Sequence, residues 1–172
     1  TCTQTHFTDK LTAHEACCSL AKGGALESVI NNTRPGRLLA MLERSQFTIL
    51  MEAHNGLTAK LVEEAGFDAV WASSLSLAAS QGIRDCNELT WTQVLSMVEF
   101  IVDSVSIPVL LDGDNGHGGF NNARMFARKA QRIGVAGICF EDKRFPKSNS
   151  LIRELNHSLL PIQEFCSILQ AS

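Results

Sequence analysis

Four short apolar runs constrain this chain more than any other feature. They are FTILMEA (47–53), FDAVWAS (67–73), IPVLLDGD (107–114) and VAGICFED (135–142). Each is continuous rather than alternating, which is the pattern of a strand buried on both faces. Helical segments come after them. In 55–66, Leu57, Leu61, Val62 and Ala65 fall at helical spacing before the stop Gly66. Thr90 can cap a helix over 91–105, where Trp91, Val94, Leu95, Val98, Ile101, Val102 and Val105 mark a wide apolar face. A third helix fits 120–134 with Gly134 as its stop, and Pro161 opens a fourth over 161–169. The segment between residue 73 and Thr90 reads as a polar loop. Strand–helix repetition of this kind predicts a parallel α/β fold. Spacing alone fits both an open doubly wound sheet and a (β/α)₈ barrel.

The 172 residues, 45% apolar and 19% charged, have the balance of a folded domain with a core, not of a disordered chain. A net charge of -3 with no basic stripe argues against a nucleic-acid partner. No apolar run approaches the ~18 residues of a membrane helix. The first residues, TCTQTHFTDKLTAHEACC, lack a basic start followed by an apolar stretch, so a cytoplasmic protein is expected. The chain opens on Thr1 rather than Met, as a clipped chain does. Cys2, Cys17, Cys18, Cys86, Cys139 and Cys166 form no CxxC pair and read as scattered reduced thiols. Residues 1–36 are polar, with room for a short helix near Leu11–Leu20, and end at the breaker Pro35-Gly36. They read as an appendage, and 37–172 as the α/β domain.

The chemistry-bearing residues collect where the runs end. Glu52, His54 and Asn55 close the first. Trp71, Ser73 and Ser74 end the second, with Asp85 further along. Asp112 and Asp114 end the third, and Glu141, Asp142 and Lys143 the fourth. In parallel α/β proteins this edge of the sheet carries the active site. Asp112 and Asp114, two apart in a strand, would share a face, with Gly113 leaving room beside them. Four acids at one rim (Asp85, Asp112, Asp114 and Glu141) repel one another without a cation, and hard oxygen donors suit Mg²⁺. The bland alternative is that each acid caps a helix or faces water. EDKRFPKSNS (141–150) brings Lys143, Arg144 and Lys147 beside Asn149 and Ser150, which suits an anionic, phosphate-bearing substrate under a lid, or an ordinary exposed basic loop. DGDNGHGGF fits neither GxGxxG nor a P-loop, so it carries no nucleotide reading. His117 has two readings, ligand contact or bystander. For His54 a structural hydrogen bond is favoured.

These residues also carry a resemblance. MEAHNGL (51–57), GFDAVWASSLSLAASQGIRDCNE (66–88), LLDGDNGHGGFNNA (110–123) and above all EDKRFPKSNS resemble the phosphoenolpyruvate mutase family of the isocitrate lyase superfamily. The likeness runs from about Arg37 to about Phe165. It implies a (β/α)₈ TIM-type barrel with Mg²⁺ at the C-terminal rim. Asp112 is then the direct metal ligand, with Asp85, Asp114 and Glu141 acting through water. The resemblance further implies that Trp71, Ser73, Ser74 and Leu75 hold the pyruvyl carboxylate and the transferring group. Lys147, Asn149 and Ser150 would contact the phosphoryl group, and Lys147, Asn149 and Asp85 would be the catalytic set. The implied reaction moves the phosphoryl group of phosphoenolpyruvate from oxygen to C3, giving phosphonopyruvate for phosphonate biosynthesis.

The carbon–carbon lyases of the superfamily carry a KKCGH-type loop that is missing here. Phosphonopyruvate hydrolase has a similar loop, typically with Thr where Asn149 stands, so Asn149 favours the mutase over the hydrolase. Four positions depart from the family pattern. Ala72-Ser73-Ser74 replaces Gly-Ser-Gly, Asn115 replaces Thr, and His117 replaces an aromatic residue. The family continues through four more βα units, in which later strands supply an Arg and a His. This chain ends at Ser172. The expectation is an incomplete barrel of four units with an open edge, and a non-catalytic truncated product is the alternative in a different class. Homo-oligomers are expected where the barrel is complete.

Overall fold

Parallel pairing begins at the fourth residue of the first apolar run, well inside it. The computed structural model describes residues 32–148 and 158–172. Within them β1 (Leu50–Glu52), β2 (Ala69–Ala72), β3 (Val109–Asp112) and β4 (Gly137–Cys139) form one four-stranded sheet. All three pairings are parallel, and the strand order is β1-β2-β3-β4. This order settles what spacing left open. A sheet that grows in one direction is the barrel arrangement, whereas a doubly wound sheet reverses at a switch point. Glu52 stands beside Trp71, Trp71 beside Leu110, and Asp112 beside Cys139, so the strand ends align along one rim.

The helices are α1 (Arg34–Glu43), α2 (Gly56–Glu64), α3 (Ser74–Ser80), α4 (Trp91–Ser104), α5 (Phe120–Arg132) and α6 (Ile162–Ala171). Asn55 and Thr90 each close a capping box, with Thr58 and Gln93 as partners. The core joins Val70, Val109 and Leu111 of the sheet to Val94, Val98 and Ile101 of α4 and Phe126 of α5. Each such side chain contributes roughly 1.5–3 kcal/mol by leaving water.

Two elements differ from the sequence reading. α3 occupies the segment read as loop. It is a short Ser-rich helix capped by Ser73, and its buried Leu77 and Ala78 hold it to the core. α1 runs through Pro35-Gly36, because Pro35 stands in the first turn, where its missing N–H costs nothing. Arg34 and Arg37 donate to the carbonyls of Val105 and Ser106 ahead of β3, and a Cβ on Gly137 would lie 2.9 Å from Leu38. Thus α1 sits at the N-terminal end of the strands, opposite the rim. The proposed helix near Leu11–Leu20 lies outside the described residues. Among the described residues, no helix is long and apolar enough to cross a membrane.

Candidate active site

Two turns organise the rim, one leaving β2 and one leaving β3. Ser73 caps α3, so the chain turns there and points the Ser74 N–H at Asp112. Ser74 donates to Asp112 Oδ2 twice, from its amide at 3.2 Å and its hydroxyl at 2.8 Å. Asp112 Oδ1 accepts from the amide of Asp114 at 3.1 Å. The two carboxylates do not meet through the pleat of a strand. Asp114 lies beyond β3 at φ 49, a left-handed conformation that Asp tolerates better than most residues. Gly113 makes this turn possible, since a Cβ there would lie 2.6 Å from Ile138 Cγ2 and 2.9 Å from Phe140 Cε1.

Into this acidic corner comes Lys147, its side chain only 3% exposed. Its Nζ lies 2.6 Å from Asp85 Oδ1, donates to Ser74 Oγ at 2.9 Å and pairs closely with Asp114 Oδ1. Burial alone would push the ammonium down, but the Asp114 carboxylate and then Asp85 outweigh it and hold Lys147 above its ordinary range. Burial raises the Asp114 carboxyl, and Lys147 draws it back only part of the way. The structure therefore brings together five of the expected residues: Ser74, Asp85, Asp112, Asp114 and Lys147. Ser74 is their hub.

The other expected residues are placed differently. Trp71 is half-buried in the sheet beside the rim, Ser73 is buried at the start of α3, and Leu75 is exposed. Glu141 turns its carboxylate to Lys143 at 3.3 Å, while its amide donates to Asp114 O at 2.6 Å. Asn149 and Ser150 lie outside the described residues. His54 pairs with Glu52 at 3.4 Å at the end of β1. His117 is buried and packed on Phe126 with ring centroids 4.8 Å apart. Burial first, and then the charge of Lys147, lower its pKa to about 4, so it is neutral at pH 7.

The contacts of two asparagines were not foreseen. Asn115 donates to Arg144 O at 3.0 Å, and Asn87 accepts from Lys147 N at 2.6 Å. Proximity of Asn87 to Asp85 in sequence was the only available hint.

The acceptors facing one another here are all oxygens, the chemistry of a hard cation such as Mg²⁺. Among the described residues no three His, Cys, Asp or Glu side chains close round one point as a ready metal cage. The positive charge between Asp85 and Asp114 is that of Lys147.

Comparison with known proteins converges on one family. The family model for phosphoenolpyruvate phosphomutase matches residues 38–172. The chain is 46% identical over 148 residues to the phosphoenolpyruvate phosphomutase of Tetrahymena pyriformis, covering 86% of this chain and 49% of that protein. The crystal structure of a phosphoenolpyruvate phosphomutase from Streptomyces platensis subsp. rosaceus superposes with a TM-score of 0.76 at 38% identity, over 80% of this chain and 47% of that one. A phosphonopyruvate hydrolase in complex with oxalate and Mg²⁺ gives a TM-score of 0.73 at 35% identity, over 81% of this chain and 47% of that one. The chain thus spans about half the length of the curated relatives it matches.

Proposed function

The chain belongs to the phosphoenolpyruvate phosphomutase family, and from that premise we propose that it carries the metal- and phosphoryl-binding half of a site that interconverts phosphoenolpyruvate and phosphonopyruvate. The observation that carries this reading is the Lys147 ammonium held among Asp85, Asp114 and Ser74, next to Asp112, at the C-terminal rim. Substrates with a carboxylate and a phosphoryl group need both a cation and a hydrogen-bond donor at such a place.

The oxygen donor set fits Mg²⁺, with Asp112 assigned as direct ligand and Asp85, Asp114 and Glu141 as holders of its waters. When bound, Mg²⁺ would stabilise negative charge on the enolate oxygen of the substrate. The chain's own residues do the rest. A phosphoryl group in transit is loosely bonded at both ends and spreads its charge over three oxygens. Lys147 supplies a fixed cation for that charge, and Ser74 orients both Lys147 and Asp112. Trp71, Ser73, Ser74 and Leu75 are assigned to the pyruvyl end, where exclusion of water separates transfer from hydrolysis. Asn149 and Ser150 are assigned to the phosphoryl group on the motif alone. The homo-oligomer, the cytoplasmic location and the 1–36 appendage belong to this same reading of the whole protein.

Phosphorus NMR of phosphonopyruvate incubated with the chain and Mg²⁺ tests the proposal. Appearance of phosphoenolpyruvate supports it. Release of inorganic phosphate with pyruvate favours the second reading, a phosphonopyruvate hydrolase, which the hydrolase neighbour makes specific. An unchanged spectrum would mean that these 172 residues do not turn phosphonopyruvate over by themselves.

A further inference from the structure

The contacts of Asn87 point to a role that neither the motifs nor the family match assigns. Its carboxamide faces two ways. Nδ2 donates to Asp114 Oδ2 at 3.3 Å, and Oδ1 accepts from the backbone N–H of Lys147 at 2.6 Å. Asn87 itself is half-buried at φ 60. Glycine would satisfy that turn without strain, and Asn is among the few other residues that enter it readily. Here the side chain is used as well as the turn.

We propose that Asn87 is a positioning residue: its carboxamide clamps the backbone of Lys147 to Asp114 and so fixes where the ammonium stands. A lysine has a long flexible stem, so the position of its backbone does much to decide where the ammonium can stand. Anchoring that backbone through a planar group on the acid it pairs with sets the distance the stem has to span. Asn115 tethers the same segment three residues earlier, at Arg144 O, and so holds the loop without joining Lys147 to Asp114. The clamp on Lys147 is therefore Asn87's own. The proposal rests on the reading of Lys147 as a working residue of the site.

Limited trypsin digestion of the 172-residue chain, read by mass spectrometry, tests it without turnover. Trypsin must take the Lys147 side chain into its own acidic pocket, so cleavage after Lys147 reports withdrawal of the ammonium from Asp85 and Asp114. Cleavage after Arg132, at the end of α5, serves as the reference in the same digest. Asn87→Gly keeps the left-handed turn and deletes the clamp. It is expected to raise the ratio of Lys147 to Arg132 cleavage by about tenfold or more. A ratio within about twofold of the parent chain overturns the proposal, as does a rise shared by both sites. Asn87→Asp keeps the size and the turn tolerance, and is the second variant should the glycine chain fail to fold. It places a carboxylate against Asp114, so its ratio is expected above that of the parent, and an unchanged ratio overturns the clamp. A negative result leaves the mutase reading standing, and an inactive chain leaves the cleavage ratio readable.

Discussion

Lys147 Nζ stands 2.6 Å from Asp85 Oδ1 and pairs with Asp114 on its other side, in a corner where the lysine side chain is only 3% exposed. This triad is the electrostatic keystone of the rim, because two carboxylates from different segments share one buried cation. Removing the charge with Lys147→Met should cost about 3 kcal/mol of stability, since it leaves uncompensated carboxylates. Added Mg²⁺ should then raise the melting temperature of the variant more than that of the parent chain, because a ligand that binds only the folded state stabilises it. Circular-dichroism melts with and without Mg²⁺ measure both effects. Equal Mg²⁺ shifts in the two proteins would count against the shared corner.

His117 should make the fold sensitive to acid. Its imidazole is buried against Phe126 with a pKa of about 4, below the value near 6.5 it has when unfolded. The unfolded state therefore takes up the proton first as pH falls. The stability at stake is fully present above about pH 6.5 and drains away as pH drops toward 4, up to about 3 kcal/mol across that window. Urea unfolding at pH 7 and pH 4.5 should show this loss in the parent chain and a distinctly smaller one in His117→Leu. Identical pH dependence in both chains would contradict the assignment.

Gly113→Ala should destabilise the chain by about 1–3 kcal/mol, because the new methyl meets Ile138 Cγ2 at 2.6 Å and Phe140 Cε1 at 2.9 Å within a packed layer. The same push displaces the carboxylates on either side of it, so Mg²⁺ affinity should fall with stability. Denaturant midpoints check the first effect and a Mg²⁺ titration the second. An unchanged midpoint would show that the turn has slack.

What the sequence made legible here was local and periodic. The strands, α2, α4 and α5 announced themselves by apolar runs and helical spacing, and α4 also by Thr90 as its cap. α3 escaped because seven residues rich in serine carry too little periodicity to read. α1 escaped because Pro35-Gly36 looks like a breaker unless Thr33 is recognised as the cap ahead of it. The rim acids were visible as residue types at strand ends. The role of Ser74 as hub and of Asn87 as clamp was not, since both depend on turns and long-range contacts that no spacing encodes. The expected sharing of a strand face by Asp112 and Asp114 failed for the same reason: the chain turns at Gly113, and the two meet through a backbone amide instead.

The oxygen cluster around Asp112 is the proposed cation site of this chain. Calorimetric titration of Mg²⁺ into the parent chain and into Asp112→Asn checks this, because the amide keeps the size and one oxygen for Ser74 while removing the charge, losing only the bond from the Asp114 amide. Binding should be saturable in the parent and at least about tenfold weaker in the variant, with both chains giving the same far-ultraviolet spectrum. Equal affinity in the two would contradict it.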